Sequence, residues 1–148
     1  ILHGVSMGAA TVLMASGETL PENVKAVIAD CGYTSEWDEF IWEAEMIHIP
    51  WFPVLNAASA LSKLRDGYDF KQASALEQVK KSDIPTLFIH GTEDELVPYK
   101  MLGELFSAAA CEKESLTVEG AGHALSSSVE PEMYWSTVER FVEKYIGS

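Results

Sequence analysis

The sequence predicts an α/β fold: a parallel sheet with helices packed on both faces. Two observations carry this. Short apolar runs, too short for helices and rich in β-branched residues, recur along the chain and end in Gly or Asp. Between them lie longer segments with apolar residues at helical spacing.

Ile1 to Gly4 reads as the end of a buried strand and runs into Gly4-Val5-Ser6-Met7-Gly8. Ala9 to Ser16, rich in Ala, Leu, Met and Val, predicts a helix buried on most sides, with Gly17 as its C′ residue. Val24 to Ala29 is a β-branched run ending in Asp30, as expected of a strand buried on both faces. Thr34 to His48 predicts a helix opened by a capping box of Ser35 and Asp38. Pro50 and Pro53 interrupt the chain around Trp51 and Phe52, and Leu55 to Leu64 suits another helix, closed by an Asp66-Gly67 turn. Ser74 and Glu77 form a second capping-box pattern, opening a short helix to Lys81. Pro85 to His90 is a second buried strand, and Pro98 fits the first turn of a helix reaching about Ala110. Ser115 to Glu119 is a third strand. A last helix opens at Pro131, carries Tyr134, Trp135, Val138, Phe141, Val142 and Tyr145 at helical spacing, and ends at Gly147.

Composition narrows the function classes. The 148 residues are enough for one domain or part of one. With 23 acidic against 10 basic residues the net charge is -13, which argues against sequence-independent nucleic-acid binding and against attraction to anionic lipid. Cys31 and Cys111 sit in no CxxC or CxxH spacing, so they read as reduced thiols, consistent with a cytosolic protein. No apolar run is long enough to span a membrane, and no signal peptide is visible. Because Ile1 and Leu2 read as a strand stub beside a chemical motif, the expectation is a part of a longer domain; an anchor or signal would lie in the preceding part. An open sheet edge there would favour self-association.

The motif that carries chemistry is Gly4-Val5-Ser6-Met7-Gly8. A G-x-S-x-G pentapeptide between strand and helix is a nucleophile elbow. Small residues at Gly4 and Gly8 let strand and helix approach closely, the turn exposes the Ser6 hydroxyl, and the helix N-terminus favours negative charge beside it. The Met7 N–H would supply one oxyanion donor. A serine nucleophile needs a base, and the base an orienting acid. Both follow strands in the order Ser, Asp, His: Asp94 in Gly91-Thr-Glu-Asp-Glu-Leu-Val-Pro98, and His123 in Gly120-Ala-Gly-His123.

With His3-Gly-Val-Ser-Met-Gly8, His90-Gly-Thr-Glu-Asp-Glu-Leu-Val-Pro98 and Gly120-Ala-Gly-His123, the chain resembles α/β-hydrolase-fold enzymes. Asp30-Cys-Gly-Tyr-Thr-Ser35, and Gly67-Tyr-Asp-Phe70 followed by Ala73-Ser-Ala75, resemble a bacterial S9-peptidase-like branch. The resemblance covers nearly the whole chain. It implies the C-terminal part of an α/β-hydrolase fold, with Ser6 as nucleophile, Asp94 as acid, His123 as base and no metal or organic cofactor. Members of that fold have further strands before the elbow, and a loop after an early one supplies the second oxyanion donor.

Other polar residues compete with this set for the same roles. Asp30 ends the strand after the elbow helix and is the alternative acid; its structural role would be to hold the Gly32–Ser35 turn. Glu93 and Glu95 read as solvated loop charges, and His3, His48 and His90 as non-catalytic; no histidine has carboxylates or cysteines at metal-ligand spacing. Cys31 follows a strand and would lie near the site. The segment from Tyr33 to about Tyr68 is long for a connection and dense in large apolar groups, including Trp37, Phe40, Trp51 and Phe52, which suits a helical cap whose aromatics line a substrate pocket. The expected function is hydrolysis of a small carboxylic ester through an acyl-enzyme. A serine peptidase or amidase acting on a peptide is the alternative, and a non-catalytic binding module on the same scaffold is a third.

Overall fold

A computed structural model describes residues 1–146. Four strands, β1 (Leu2–Val5), β2 (Val27–Asp30), β3 (Thr86–Gly91) and β4 (Lys113–Val118), form one sheet in the order β1-β2-β3-β4. All three pairings are parallel, with Gly4 opposite Ala29, Ala29 opposite Phe88 and Phe88 opposite Ser115. Every residue of β2 and β3 is buried, which explains why their central residues, Val27–Ala29 and Leu87–Ile89, are apolar runs rather than alternating.

Successive residues of these strands feed two cores. On one face Val27, Ala29 and Phe88 pack with α1 (Met7–Ser16), α4 (Ala75–Val79) and α5 (Lys100–Ala108) through Ala9, Leu13, Val79 and Leu105. On the other, Ile28, Leu87, Ile89 and Val118 pack with α7 (Pro131–Ile146) through Tyr134, Val138 and Phe141. Burying a side chain of this size contributes roughly 1.5–3 kcal/mol, so the two layers hold the sheet from both sides. Helices on both faces of a parallel sheet is the expected architecture.

The caps explain the boundaries. Ser35 accepts the Asp38 N–H at 3.0 Å and opens α2 (Glu36–Met46); its hydroxyl also donates to Asp38 Oδ2 at 2.6 Å. Ser74 accepts the Glu77 N–H at 3.2 Å and opens α4. Both Ser N-caps are therefore where the sequence puts them. Gly67 closes α3 (Val54–Asp66) in the left-handed conformation at φ 85°, serving as a helix terminus as well as a turn. Gly17 ends α1, but at φ -84°, not in the left-handed conformation its C′ assignment predicts. A four-residue helix, α6 (Ser126–Val129), precedes α7 and was not foreseen. The expected stop of the last helix at Gly147 lies outside the described residues.

The excursion carrying α2 and α3 leaves and returns at one point. Ser35 and Ser74 form an isolated antiparallel bridge, and the Glu36 N–H donates to Ala73 O at 2.9 Å. At its upper end α2 is tied to the loop after β3, where Trp42 Nε1–H donates to Glu95 O at 3.0 Å. None of the helices among the described residues is long and apolar enough to cross a membrane.

Candidate active site

Ser6 sits between β1 and α1 with φ 55° and ψ -120°, a combination that costs a non-glycine residue strain. The surroundings hold it there. The Ser6 N–H donates to Asp30 O at 2.8 Å, and the Ala10 N–H donates to Ser6 O at 3.1 Å. Gly4 allows the turn: a Cβ at that position would collide with the carbonyl group of Gly8. A Cβ at Gly8 meets nothing within 4 Å, so the expected need for two small residues reduces to one, with the backbone of Gly8 filling the space Gly4 leaves. Met7 opens α1, and its N–H belongs to the first turn, whose donors have no acceptor within the helix.

Asp94 lies on the loop after β3 and is buried. Its Oδ1 accepts the N–H groups of Leu96 at 3.0 Å and Val97 at 2.9 Å, which fixes the carboxylate plane. Its Oδ2 lies 3.3 Å from His90 Nε2, and that same nitrogen meets Val97 O at 3.0 Å. Burial opposes ionisation of Asp94, but the hydrogen bonds from His90, Val97 and His123 outweigh it and hold the carboxyl below its ordinary range.

His123 comes from the loop after β4. That loop lies close against the end of β3: the Glu93 N–H donates to Ala121 O at 3.0 Å, and a side chain at Gly91 would strike the Ala121 carbonyl. His123 Nδ1 stands 2.9 Å from Asp94 Oδ2 and 3.1 Å from Oδ1. Its Nε2 stands 2.8 Å from Ser6 Oγ. A carboxylate can only accept, so the ring proton resides on Nδ1 and Nε2 accepts from the serine hydroxyl. The structure thus joins Ser6, His123 and Asp94 in one hydrogen-bonded line.

The alternative acid makes a different contact. Asp30 Oδ1 accepts from Ser126 Oγ at 3.3 Å, tying β2 to α6 rather than holding the Gly32–Ser35 turn. Burial raises its pKa, against hydrogen bonds from Tyr134 and Ser126. His3 Nε2 meets the Tyr134 hydroxyl at 3.2 Å, His48 is exposed, and Glu93 and Glu95 are exposed loop charges. Cys31 is indeed close: ligand atoms of Cys31, Asp94 and His123 lie within 4.8 Å of one another. Sequence spacing could not show this cluster, because its members follow three different strands. Burial, with the charge of Asp30 beside it, pushes the Cys31 thiol up to about 12, which leaves it protonated and a poor nucleophile or ligand.

Beside Ser6 opens a cavity of about 170 Å³. The elbow contributes Ser6 and Met7, and α2 contributes Glu36, Glu39, Phe40 and Glu43. Tyr33 and Leu96 complete the wall. Of the four aromatics expected to line a pocket, Phe40 does so. Trp37 and Trp51 do not: their rings meet edge to face at 6.3 Å, and Lys71 Nζ lies 4.3 Å from the Trp37 ring centre. Phe52 faces solvent at 66% exposure. The acidic residues of this wall were not foreseen, since glutamates on an amphipathic helix read as solvated. Burial, with Glu43 and Asp94 nearby, pushes Glu39 up to about 7.

Comparison with known proteins identifies the family and the fold. The family model described as Prolyl oligopeptidase family matches residues 1–148. An uncharacterized protein of Bacillus subtilis, YqkD, is 29% identical over 143 residues, 96% of this chain and 47% of its own length. Alpha/beta hydrolase domain-containing protein 17C of Xenopus tropicalis is 32% identical over 80 residues, 54% of this chain and 25% of its own. The chain therefore spans less than half the length of these curated relatives. Among solved structures, an esterase of Pyrococcus furiosus superposes with a TM-score of 0.71 at 19% identity, covering 98% of this chain and 53% of the esterase. An acylaminoacyl peptidase of Pyrococcus horikoshii superposes at 0.70 and 15% identity, covering 97% of this chain and 23% of the peptidase. At such identities the likeness is one of fold, and the four-stranded parallel sheet is part of an α/β-hydrolase fold.

Proposed function

The chain belongs to the prolyl oligopeptidase family, and from that premise we propose that it carries the nucleophile, base and acid of a serine hydrolase acting on carboxylic esters. One observation carries the reading: Ser6 Oγ lies 2.8 Å from His123 Nε2, while Nδ1 of the same ring lies 2.9 Å from Asp94 Oδ2.

In this mechanism His123 Nε2 takes the Ser6 proton as Oγ attacks the carbonyl carbon. The imidazolium that forms is stabilised by Asp94, which its hydrogen bonds keep ionised. The Met7 N–H, at the positive end of α1, receives the developing oxyanion, and a second donor comes from a loop before the elbow. His123 returns the proton to the leaving group, and the acyl-enzyme is then hydrolysed by water that His123 deprotonates in turn. The segment from Tyr33 to Tyr68 acts as a cap; Tyr33 and the α2 residues Glu39 and Phe40 on the cavity wall support that role.

A peptidase or amidase is the second reading. It is favoured by the family and by the acylaminoacyl peptidase among the structural neighbours. The chemistry to the acyl-enzyme is shared, so a matched panel of ester and anilide substrates separates the two. The test of the common mechanism is labelling by a fluorophosphonate, with the modified residue located by mass spectrometry. Labelling at Ser6 that disappears in His123→Ala supports the assignment. Labelling elsewhere, or persisting in Ser6→Ala, overturns it.

A further inference from the structure

Glu39 is out of place for a helix-surface glutamate. It is 6% exposed, and its Oε2 has no hydrogen-bond partner among the described residues. A buried carboxylate oxygen left unpaired is costly and calls for a partner. The cavity that Glu39 lines also holds Ser6. Glu36 and Glu43 stand three residues before and four after it, one turn away on the same face of α2, and both line that cavity. No Lys or Arg among the described residues lines it. Three glutamates thus line one small space without a counter-charge among the lining residues.

The rest of the wall narrows the partner. Tyr33, Phe40 and Leu96 offer apolar surface. A volume of about 170 Å³ lies below the roughly 300–1,000 Å³ of a drug-sized pocket, so the group admitted is small. An alkyl stem along the apolar wall with a cation at its end satisfies both surfaces, as lysine does when it lies along apolar surface.

We propose that Glu39 determines substrate specificity, by binding an ammonium or guanidinium group that the substrate carries on a short aliphatic stem near the scissile carbonyl. This rests on Ser6 being the nucleophile, because the cavity is defined by its place beside that hydroxyl. Glu36 and Glu43 raise the local negative potential, and the net charge of -13 steers cations toward the molecule.

The test is turnover by the intact protein of two substrates that differ by the terminal ammonium, the Nα-blocked p-nitrophenyl esters of lysine and norleucine, together with fluorophosphonate labelling. The expected kcat/KM ratio of lysine to norleucine ester is about tenfold to a hundredfold, the range of a buried charge-assisted hydrogen bond. In Glu39→Gln the ratio falls to within about threefold of one, while Glu39→Asp keeps part of it. A ratio at or below one in the unsubstituted protein, with Ser6 labelled normally, overturns the specificity proposal alone. So does a ratio unchanged in Glu39→Gln. Failure of Ser6 to label in the unsubstituted protein overturns the nucleophile assignment and the proposal with it.

Discussion

His90 Nε2 lies 3.3 Å from Asp94 Oδ2, the same oxygen that His123 Nδ1 meets at 2.9 Å. One carboxylate oxygen is shared by two imidazoles, one buried in the sheet and one at the site. His90 therefore helps keep Asp94 charged without touching Ser6.

Replacing His90 removes one of the groups that lower the Asp94 pKa, and burial, which raises it, then weighs more. A group with a depressed folded pKa loses its contribution as pH falls through that pKa, so raising the pKa moves the loss upward. His90→Leu is expected to shift the acid-side loss of folding stability to higher pH. It also leaves the Val97 carbonyl without its partner, at a stability cost of about 1–3 kcal/mol. Denaturant melts across the acid range and at neutral pH check both.

Ser6→Ala and His123→Ala are each expected to lower kcat by about 10⁴-fold or more, and the double variant by little beyond the larger single effect, because the two act as a unit. Asp94→Asn keeps the shape but forfeits the charge that fixes the ring proton on Nδ1, and a loss of about 10⁴ is expected from it as well. Steady-state kinetics on a chromogenic ester give all three.

The two elbow glycines are expected to differ. Gly4→Ala drives a Cβ into the backbone of Gly8, and overpacking of this kind costs about 1–3 kcal/mol or more. Gly8→Ala meets no atom within 4 Å and lies inside α1, where alanine is about 0.5–1 kcal/mol better than glycine. Paired thermal melts are expected to show opposite signs.

Glu39 affects stability in the opposite direction to Asp94. Its folded pKa is raised from 4.5 to about 7, so between these values the folded chain retains a proton that the unfolded chain has released. Stability attributable to Glu39 is present below the unfolded pKa and lost as pH rises through about 7. Glu39→Gln lacks this loss. Its advantage over the unsubstituted protein is expected to grow by on the order of 1–3 kcal/mol from acid to mildly alkaline pH, read from melts across that range.

What could be read in the sequence was what is local. Ser35, Ser74, Pro131 and the buried strands signal themselves through capping and hydropathy, and Asp94 and His123 were visible because each follows such a strand. The contacts that sort one polar residue from another were not visible. Asp30 ends β2 and Asp94 follows β3, and their roles part only because Ser126 meets one and His123 the other. Trp37 and Trp51 are as apolar as Phe40, yet they pack on each other, away from the cavity. Glu39 shares its helix with Glu36, Asp38 and Glu43, and only the docking of α2 near Ser6 separates the buried acid from the wet ones.

The hydrogen bond between Ser6 and His123 closes a loop of 117 residues. Closing so long a loop carries an entropic cost that is recovered only when the intervening strands have paired. Reactivity toward an acylating probe is therefore expected to return late in refolding, after the helical signal, and to be lost early in partial unfolding, which probe labelling beside circular dichroism checks.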